Sequence, residues 1–301
     1  MPPQRFVVPI LQDCKIGLDR PSEPTRDGRR GARRARYEQA GTPPTKTINH
    51  EPPMQNILIT GATGLIGTAT IAHLKNRYNL SALNRRRLTT IPCHRADISD
   101  LKAIEPAFKN IDTVIHLAAH IGNNHRAIQH ANIQGTTNIF EASLNAGVRR
   151  IIFASSGSVV GGYGQHTPYK ELLAGDYSAI GETWPMLTHE SPLRPTGLYA
   201  ASKVWGEELA REYANAGHCS VLCLRFGRVN PENRPTQARE YAVWCSHRDA
   251  VQSIEKCIEA PPELPFDTFF INSDNKYGYR DLGHARQIVD FVPEDRGENY
   301  R

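Results

Sequence analysis

The sequence predicts an α/β fold, a doubly wound parallel sheet with a small lobe at its C-terminal end. Three observations predict it. Short apolar runs alternate with helical stretches from Asn56 to Arg225, the pattern of parallel strands joined by crossover helices. The strand-like runs are apolar at successive positions, as in strands covered on both faces. The first run enters a glycine-punctuated turn, Gly61-Ala62-Thr63-Gly64-Leu65-Ile66-Gly67, and an apolar helix follows.

Taken in order, residues 57–60 form the first strand and 65–77 the first helix. Strands follow at 79–84 and 93–96, then a helix near 101–109 behind Asp97-Ile98-Ser99-Asp100. Residues 113–118 are the fourth strand, 132–146 a helix and 150–154 the fifth strand. Residues 161–195 are rich in Gly and Pro and read as an irregular insertion, either a loop over the pocket with Tyr169 and Trp184 as lid contacts or a flexible solvent loop. A long helix covers 199–216 and a sixth strand 220–225. Beyond Arg225 the regularity fades, with turns at Asn230-Pro231 and Pro261-Pro262, a helix near 249–260 and a strand at 268–271. This places a dinucleotide-binding domain at 54–229, interrupted by the 161–195 insertion, and a small substrate lobe at 230–301.

Residues 1–53 differ from the rest. They hold nine of the 21 prolines, and ten Lys/Arg against six Asp/Glu, which is four of the five net positive charges. Low hydrophobicity with charge and proline predicts a disordered basic extension, and Met54 is an alternative start. The remaining body is nearly neutral, so nucleic acid is not expected as a partner. No apolar run reaches the roughly 20 residues of a membrane span, and no secretory h-region is present. The six cysteines form no CxxC pair, which reads as reduced thiols in a cytoplasmic protein. The twelve histidines show no HExxH spacing, so no metal site is expected.

The chemistry lies in four places. Gly61, Gly64 and Gly67 have the spacing that makes a tight turn, admits a pyrophosphate and packs helix on strand. At the end of the second strand a ribose 2′-hydroxyl calls for an acid, and a 2′-phosphate for arginine. Asn84 stands there, followed by Arg85, Arg86 and Arg87, so NADP is preferred over NAD. Asp97 suits an adenine amino group or a helix cap, or it serves the ligand while Ser99 or Asp100 caps the helix. Ser155 and Ser156 follow the fifth strand, and Tyr199-x-x-x-Lys203 places phenol and ammonium on one helix face. The lysine is expected to lower the phenol pKa, so that Tyr199 serves as base while a serine orients the reacting oxygen.

These residues resemble the extended short-chain dehydrogenase/reductases of the NAD-dependent epimerase/dehydratase type. The matching pieces are Thr60-Gly61-x-x-Gly64-x-x-Gly67, Asp97-Ile98, His116-Leu117-Ala118-Ala119, Asn132-Ile133-x-Gly135-Thr136, Ser155-Ser156 and Tyr199-x-x-x-Lys203. The resemblance implies a Rossmann-type fold, a homodimer pairing through the helices at 132–146 and 199–216, and catalysis by Ser156, Tyr199 and Lys203. It implies that Asn132 supports the lysine through water. The cofactor would lie against Gly61, Thr63, Gly64, Leu65, Ile66, Gly67, Asn84, Arg85, Arg86, Asp97, Ile98, Leu117, Ala118, Ala119, Tyr199 and Lys203. The C-terminal residues Arg225-Phe226-Gly227, Pro231-Glu232, Arg239 and Trp244-Cys245-Ser246-x-x-Asp249 look like uronate dehydrogenases, which oxidise C1 of a cyclic hexuronic acid. Arg239 matches a substrate-pocket arginine of that group, and Ser156 would touch the substrate too. Departures are Gly157-Ser158, where that group has Asn-His, Arg228 in place of a small residue, and Asn84.

The implied reaction is NAD(P)-dependent hydride transfer on a sugar or sugar acid. A nucleotide-sugar epimerase or dehydratase is the alternative, disfavoured by the short C-terminal stretch. A non-catalytic dinucleotide sensor is disfavoured by the intact Ser156, Tyr199 and Lys203.

Overall fold

The computed structural model describes residues 54–301; the disorder expected of residues 1–53 falls outside them. Seven strands, β1 Asn56–Thr60, β2 Asn79–Asn84, β3 Cys93–Arg95, β4 Thr113–His116, β5 Arg150–Ser156, β6 Ser220–Phe226 and β7 Phe266–Ile271, form one parallel sheet. Their order is β3-β2-β1-β4-β5-β6-β7. The direction of strand addition reverses between β1 and β4, and in open parallel sheets ligands bind outside the carboxyl ends at such a reversal.

The helices are α1 Leu65–Leu74, α2 Leu101–Ile104, α3 His125–Ile128, α4 Gly135–Ala146, α5 Tyr169–Ala174, α6 Gly197–Asn215, α7 Glu240–Val243, α8 His247–Glu259 and α9 Gly283–Val289. Strand alternation sorts the apolar runs between two cores. Ile57, Ile59, Ile115, Ile152 and Leu222 face Ile71 and Leu74 of α1 and Ile254 and Ile258 of α8. Leu58, Val114, Ile151, Phe153 and Val221 face Ile139 and Phe140 of α4 and Ala210 of α6. Continuous apolar strands are required because helices cover both faces.

Residues 230–301, expected as a small lobe, contribute more than a covering. Part of them completes the sheet: α8 packs against α1 and β5, and β7 pairs with β6 along six residues, Val221 to Phe226. Ser246 starts α8 by accepting from the Asp249 amide at 3.0 Å, a cap of about 1 kcal/mol. α9 was not predicted; Asp281 accepts from the Gly283 and His284 amides at 3.0 and 3.3 Å and starts it from a short, mixed sequence.

The insertion at 161–195 is more ordered than its composition suggests. A 3-10 segment spans Gly157–Gln165, and α5 follows. Tyr169 and Trp184 do not form a lid. They belong to a third apolar cluster with Tyr279, Leu172 and Phe270. The Tyr169 hydroxyl donates to the Pro185 carbonyl at 3.0 Å, and the Trp184 indole to that of Gly278 at 2.9 Å. Large aromatic rings with one polar atom bury well once that atom is paired.

Candidate active site

A cavity of about 970 Å³ opens at the carboxyl ends of the strands. One end is the glycine turn. Gly61 has φ +68°, and a Cβ there would stand 2.7 Å from the Ala118 nitrogen. A Cβ on Gly67 would lie 2.5 Å from the Gly61 oxygen. Strand, loop and helix therefore approach at distances that a side chain forbids. No side chain caps α1 at Gly64 and its first turn holds no acid, so its free amides and positive dipole end suit a pyrophosphate. Thr63, Leu65 and Ile66 complete this wall, and Leu117, Ala118 and Ala119 face it.

The β2 end follows. Asn84 is buried and donates to the Arg86 carbonyl at 2.9 Å and to the Thr63 hydroxyl at 3.2 Å. Arg85 and Arg86 are exposed on the cavity rim, while Arg87 is not part of the wall. Arg85 lies 3.8 Å from Asp97. Burial raises the Asp97 carboxyl, but hydrogen bonds from the Ser99 amide and hydroxyl, with the Arg85 charge, hold it below its ordinary value. Asp100, not Asp97, caps α2, accepting from the Ala103 amide at 3.1 Å. Asp97 and Ile98 both line the cavity.

Ser156, Tyr199 and Lys203 converge at the far end of this wall. The Ser156 oxygen accepts from the Ser158 amide at 3.1 Å and from its hydroxyl at 2.9 Å. With both lone pairs engaged, the Ser156 proton is left as a donor. Lys203, buried in α6, donates to the Ala154 carbonyl at 2.6 Å. Burial brings its ammonium down to about 8, against the raising influence of Cys223 and Glu207. The expected lowering of the phenol is not found. Burial pushes Tyr199 up, and the adjacent Ser156 hydroxyl recovers only part of that rise. The Lys203 nitrogen is 5.8 Å from the Tyr199 ring centre.

Asn132 stands apart from the cavity wall. It lies in a π-helical segment, Gln129–Gln134, between α3 and α4. Its oxygen accepts from the His120 amide at 2.7 Å, and its amide donates to the His120 carbonyl and to Ser202 at 3.0 and 2.9 Å. It thus ties the loop beyond Ala119 to α6, one residue before Lys203.

Beneath the site lies a network that sequence reasoning missed. Glu207 accepts from Ser155 at 2.5 Å and from Arg225 at 2.9 and 2.8 Å, all three buried. Its only sequence signal is the spacing Tyr199, Lys203, Glu207 on one helix. His116 is clamped between Thr60 at 2.7 Å and Thr136 at 3.1 Å. Burial and the Lys203 charge bring it down to about 3, so it stays neutral.

The remaining wall carries four arginines, Arg126, Arg228, Arg239 and Arg280. Arg239 is exposed at the start of α7. Arg228 pairs with Glu240 at 3.3 Å. Among the described residues no cluster of His, Cys, Asp or Glu has the geometry to hold a metal, and no helix is long and apolar enough to cross a membrane.

The chain is similar along most of its length to known proteins. The NAD-dependent glucose-6-phosphate dehydrogenase of Haloferax volcanii is 30% identical over 260 residues, covering 82% of this chain and 95% of that protein. The uronate dehydrogenase of Agrobacterium fabrum is 31% identical over 254 residues, covering 82% and 88%. The crystal structure of glucuronic acid dehydrogenase from Chromohalobacter salexigens superposes with a TM-score of 0.71 at 28% identity, covering 83% of this chain and 88% of that one. The model of the NAD dependent epimerase/dehydratase family matches residues 57–292, and the chain belongs to that family.

Proposed function

We propose that this protein is an NAD(P)-dependent oxidoreductase that oxidises the C1 hydroxyl of a cyclic sugar or sugar acid to a lactone. The observation that carries this reading is the convergence of Ser156, Tyr199 and Lys203 on the cavity that also holds the glycine turn.

The start of α1 would hold the pyrophosphate, Asp97 and Ile98 the adenosine side, and Asn84, Arg85 and Arg86 the ribose. NADP is the preferred form, since no carboxylate stands at the end of β2 and two guanidinium groups reach the rim. When bound, the oxidised nicotinamide supplies the hydride acceptor and a positive charge that favours a phenolate. Tyr199 takes the proton of the substrate hydroxyl as its C–H bond breaks. Ser156, its own oxygen held by Ser158, donates to the same substrate oxygen. Lys203 supplies positive charge behind the phenol, and Asn132 positions α6 and the loop beyond Ala119. Arg239 meets an acidic group of the substrate.

A nucleotide-sugar epimerase is less well supported, because α8 and β7 take much of the chain after β6 and leave little to enclose a nucleotide. Cytoplasmic residence is part of the reading and draws on five unpaired thiols among the described residues. A homodimer through α4 and α6 draws on the family resemblance.

The experiment is a panel of uronates, sugar phosphates, neutral sugars and nucleotide sugars with NAD and NADP, followed by nicotinamide absorbance. Turnover of a free aldose or its acid is expected. Turnover of nucleotide sugars alone would overturn the reading.

A further inference from the structure

Three arginines are buried among the described residues. Two of them are satisfied internally. Arg150 donates to Ser220 at 3.1 Å and to the carbonyls of Cys257, Ile258, Ala260 and Pro261 at 3.0, 3.3, 2.6 and 2.7 Å. Arg225 forms a two-pronged pair with Glu207. Arg280, 8% exposed, has neither arrangement. It donates to the Gly157 carbonyl at 3.1 Å and reaches the Asn272 side-chain oxygen at 3.5 Å. Its Nε is buried without a partner, and it has no carboxylate partner among the described residues. The rings of Tyr279 and Phe270, 5.5 and 5.9 Å from its Cζ, offer weak cation–π attraction. A buried guanidinium carries a large desolvation cost unless a counter-charge meets it.

Gly157 explains how the arginine comes to be there. A Cβ on residue 157 would stand 2.2 Å from the Arg280 Nη1 and 2.3 Å from its Cζ. Glycine thus leaves open the space directly after Ser156, and the guanidinium fills it. The charge around this end is uneven. Of Arg126, Arg228, Arg239 and Arg280 only Arg228 has a carboxylate partner among the described residues. Asp97, the acid on the cavity wall, lies beside Arg85 at the β2 end.

We propose that Arg280 contacts substrate and determines specificity, with Gly157 as the opening that admits it, and that the pair selects a sugar bearing a carboxylate or phosphate group over its neutral counterpart. The proposal rests on the reading of this end of the cavity as the substrate site. The missing counter-charge of Arg280 is supplied by the ligand, and a planar fork of N–H donors matches either anion.

The test compares kcat/KM for D-glucuronate, glucose 6-phosphate and D-glucose in the full chain and in R280M, G157A, R280K and the G157A/R280M double variant. The preference of R280M for an anionic sugar over glucose is expected to fall about tenfold or more, chiefly through KM of the anionic sugar, as for a lost charge-assisted contact. G157A should do the same, because its Cβ displaces the guanidinium. The double variant should be no worse than either single one, and R280K should recover part of the preference. The anion whose preference collapses identifies the source. Equal losses on charged and neutral sugars would mark Arg280 as structural and overturn the proposal. Binding is read separately by thermal shift with glucuronate and with glucose 6-phosphate. A shift in the wild type that R280M loses supports the proposal, whereas no shift, or equal shifts, sinks it. A wild type that binds the anion without oxidising it leaves Arg280 in its role and removes the proposed reaction. If R280M does not fold, G157A, which keeps the arginine in the chain, decides.

Discussion

Replacing Lys203 by Met should stabilise the free protein at neutral pH. The ammonium is buried, and burial lowers its pKa from 10.5 to about 8. That fall corresponds to about 3 kcal/mol against the charged form in the folded state. Met has a similar volume and no charge to desolvate, but it gives up the bond to the Ala154 carbonyl, a loss of about 1 kcal/mol. The variant is therefore expected to be more stable by about 2 kcal/mol at pH 7, the difference of those two figures. The sign with pH follows from the depressed value. Below pH 8 folded and unfolded chains both hold the proton, and the cost is fully present. Between about 8 and 10.5 the unfolded chain binds more protons, so wild-type stability rises with pH. Urea unfolding of both proteins without cofactor, across pH 7 to 10, measures the difference directly. The advantage of Lys203→Met should shrink as pH rises. An advantage that stays constant with pH, or a variant less stable at pH 7, would refute the account of Lys203 as a charge held in a dry site.

Three further outcomes are expected. Tyr199→Phe should lose about 10²–10⁴-fold in kcat with nearly unchanged cofactor Kd by fluorescence titration; retained turnover would remove Tyr199 from the chemistry. Arg85→Ala with Arg86→Ala should weaken NADP far more than NAD, and equal weakening would exclude the 2′-phosphate reading. Glu207→Ala breaks a buried pair and leaves Arg225 uncompensated, so stability should fall by about 3–5 kcal/mol, or about 10 °C in Tm; a change within 1 °C or so in calorimetry would contradict the network.

What the sequence made legible is what local periodicity encodes. Strands β1, β4, β5 and β6 and the glycine turn are legible because buried parallel strands are largely apolar and the turn's glycines lie within seven residues of one another. Ser156, Tyr199 and Lys203 appeared because two short motifs carry them. Asn132 reads from the sequence as part of a helix, but its direct bonds to His120 and Ser202 are set by the fold. The π-helical segment that carries it depends on Asn124, whose side chain accepts from the Ala127 amide at 3.0 Å and starts the helix seven residues earlier than expected. Arg280 and Gly157 are 123 positions apart, and Glu207 and Ser155 are 52 apart. No periodic signal joins such residues, so their pairing emerges only from the fold. Trp184 and Tyr169 were misplaced because an aromatic in a Gly/Pro-rich stretch looks the same whether it covers a pocket or anchors a satellite core.

The Glu207 network also bears on the state of Lys203. Both side chains rise from one face of α6, and Glu207 raises the lysine pKa. A free Glu207 carboxylate would pair with the ammonium, since an opposite charge within about 4–6 Å favours the charged form. Its attraction would draw positive charge away from Tyr199. Arg225 and Ser155 prevent this by binding both carboxylate oxygens. Lys203 is then held by a neutral carbonyl, and its pKa settles at about 8. The arginine on β6 thus does more than fill the core: by satisfying the glutamate, it leaves the Lys203 ammonium bonded to a carbonyl and not to a carboxylate.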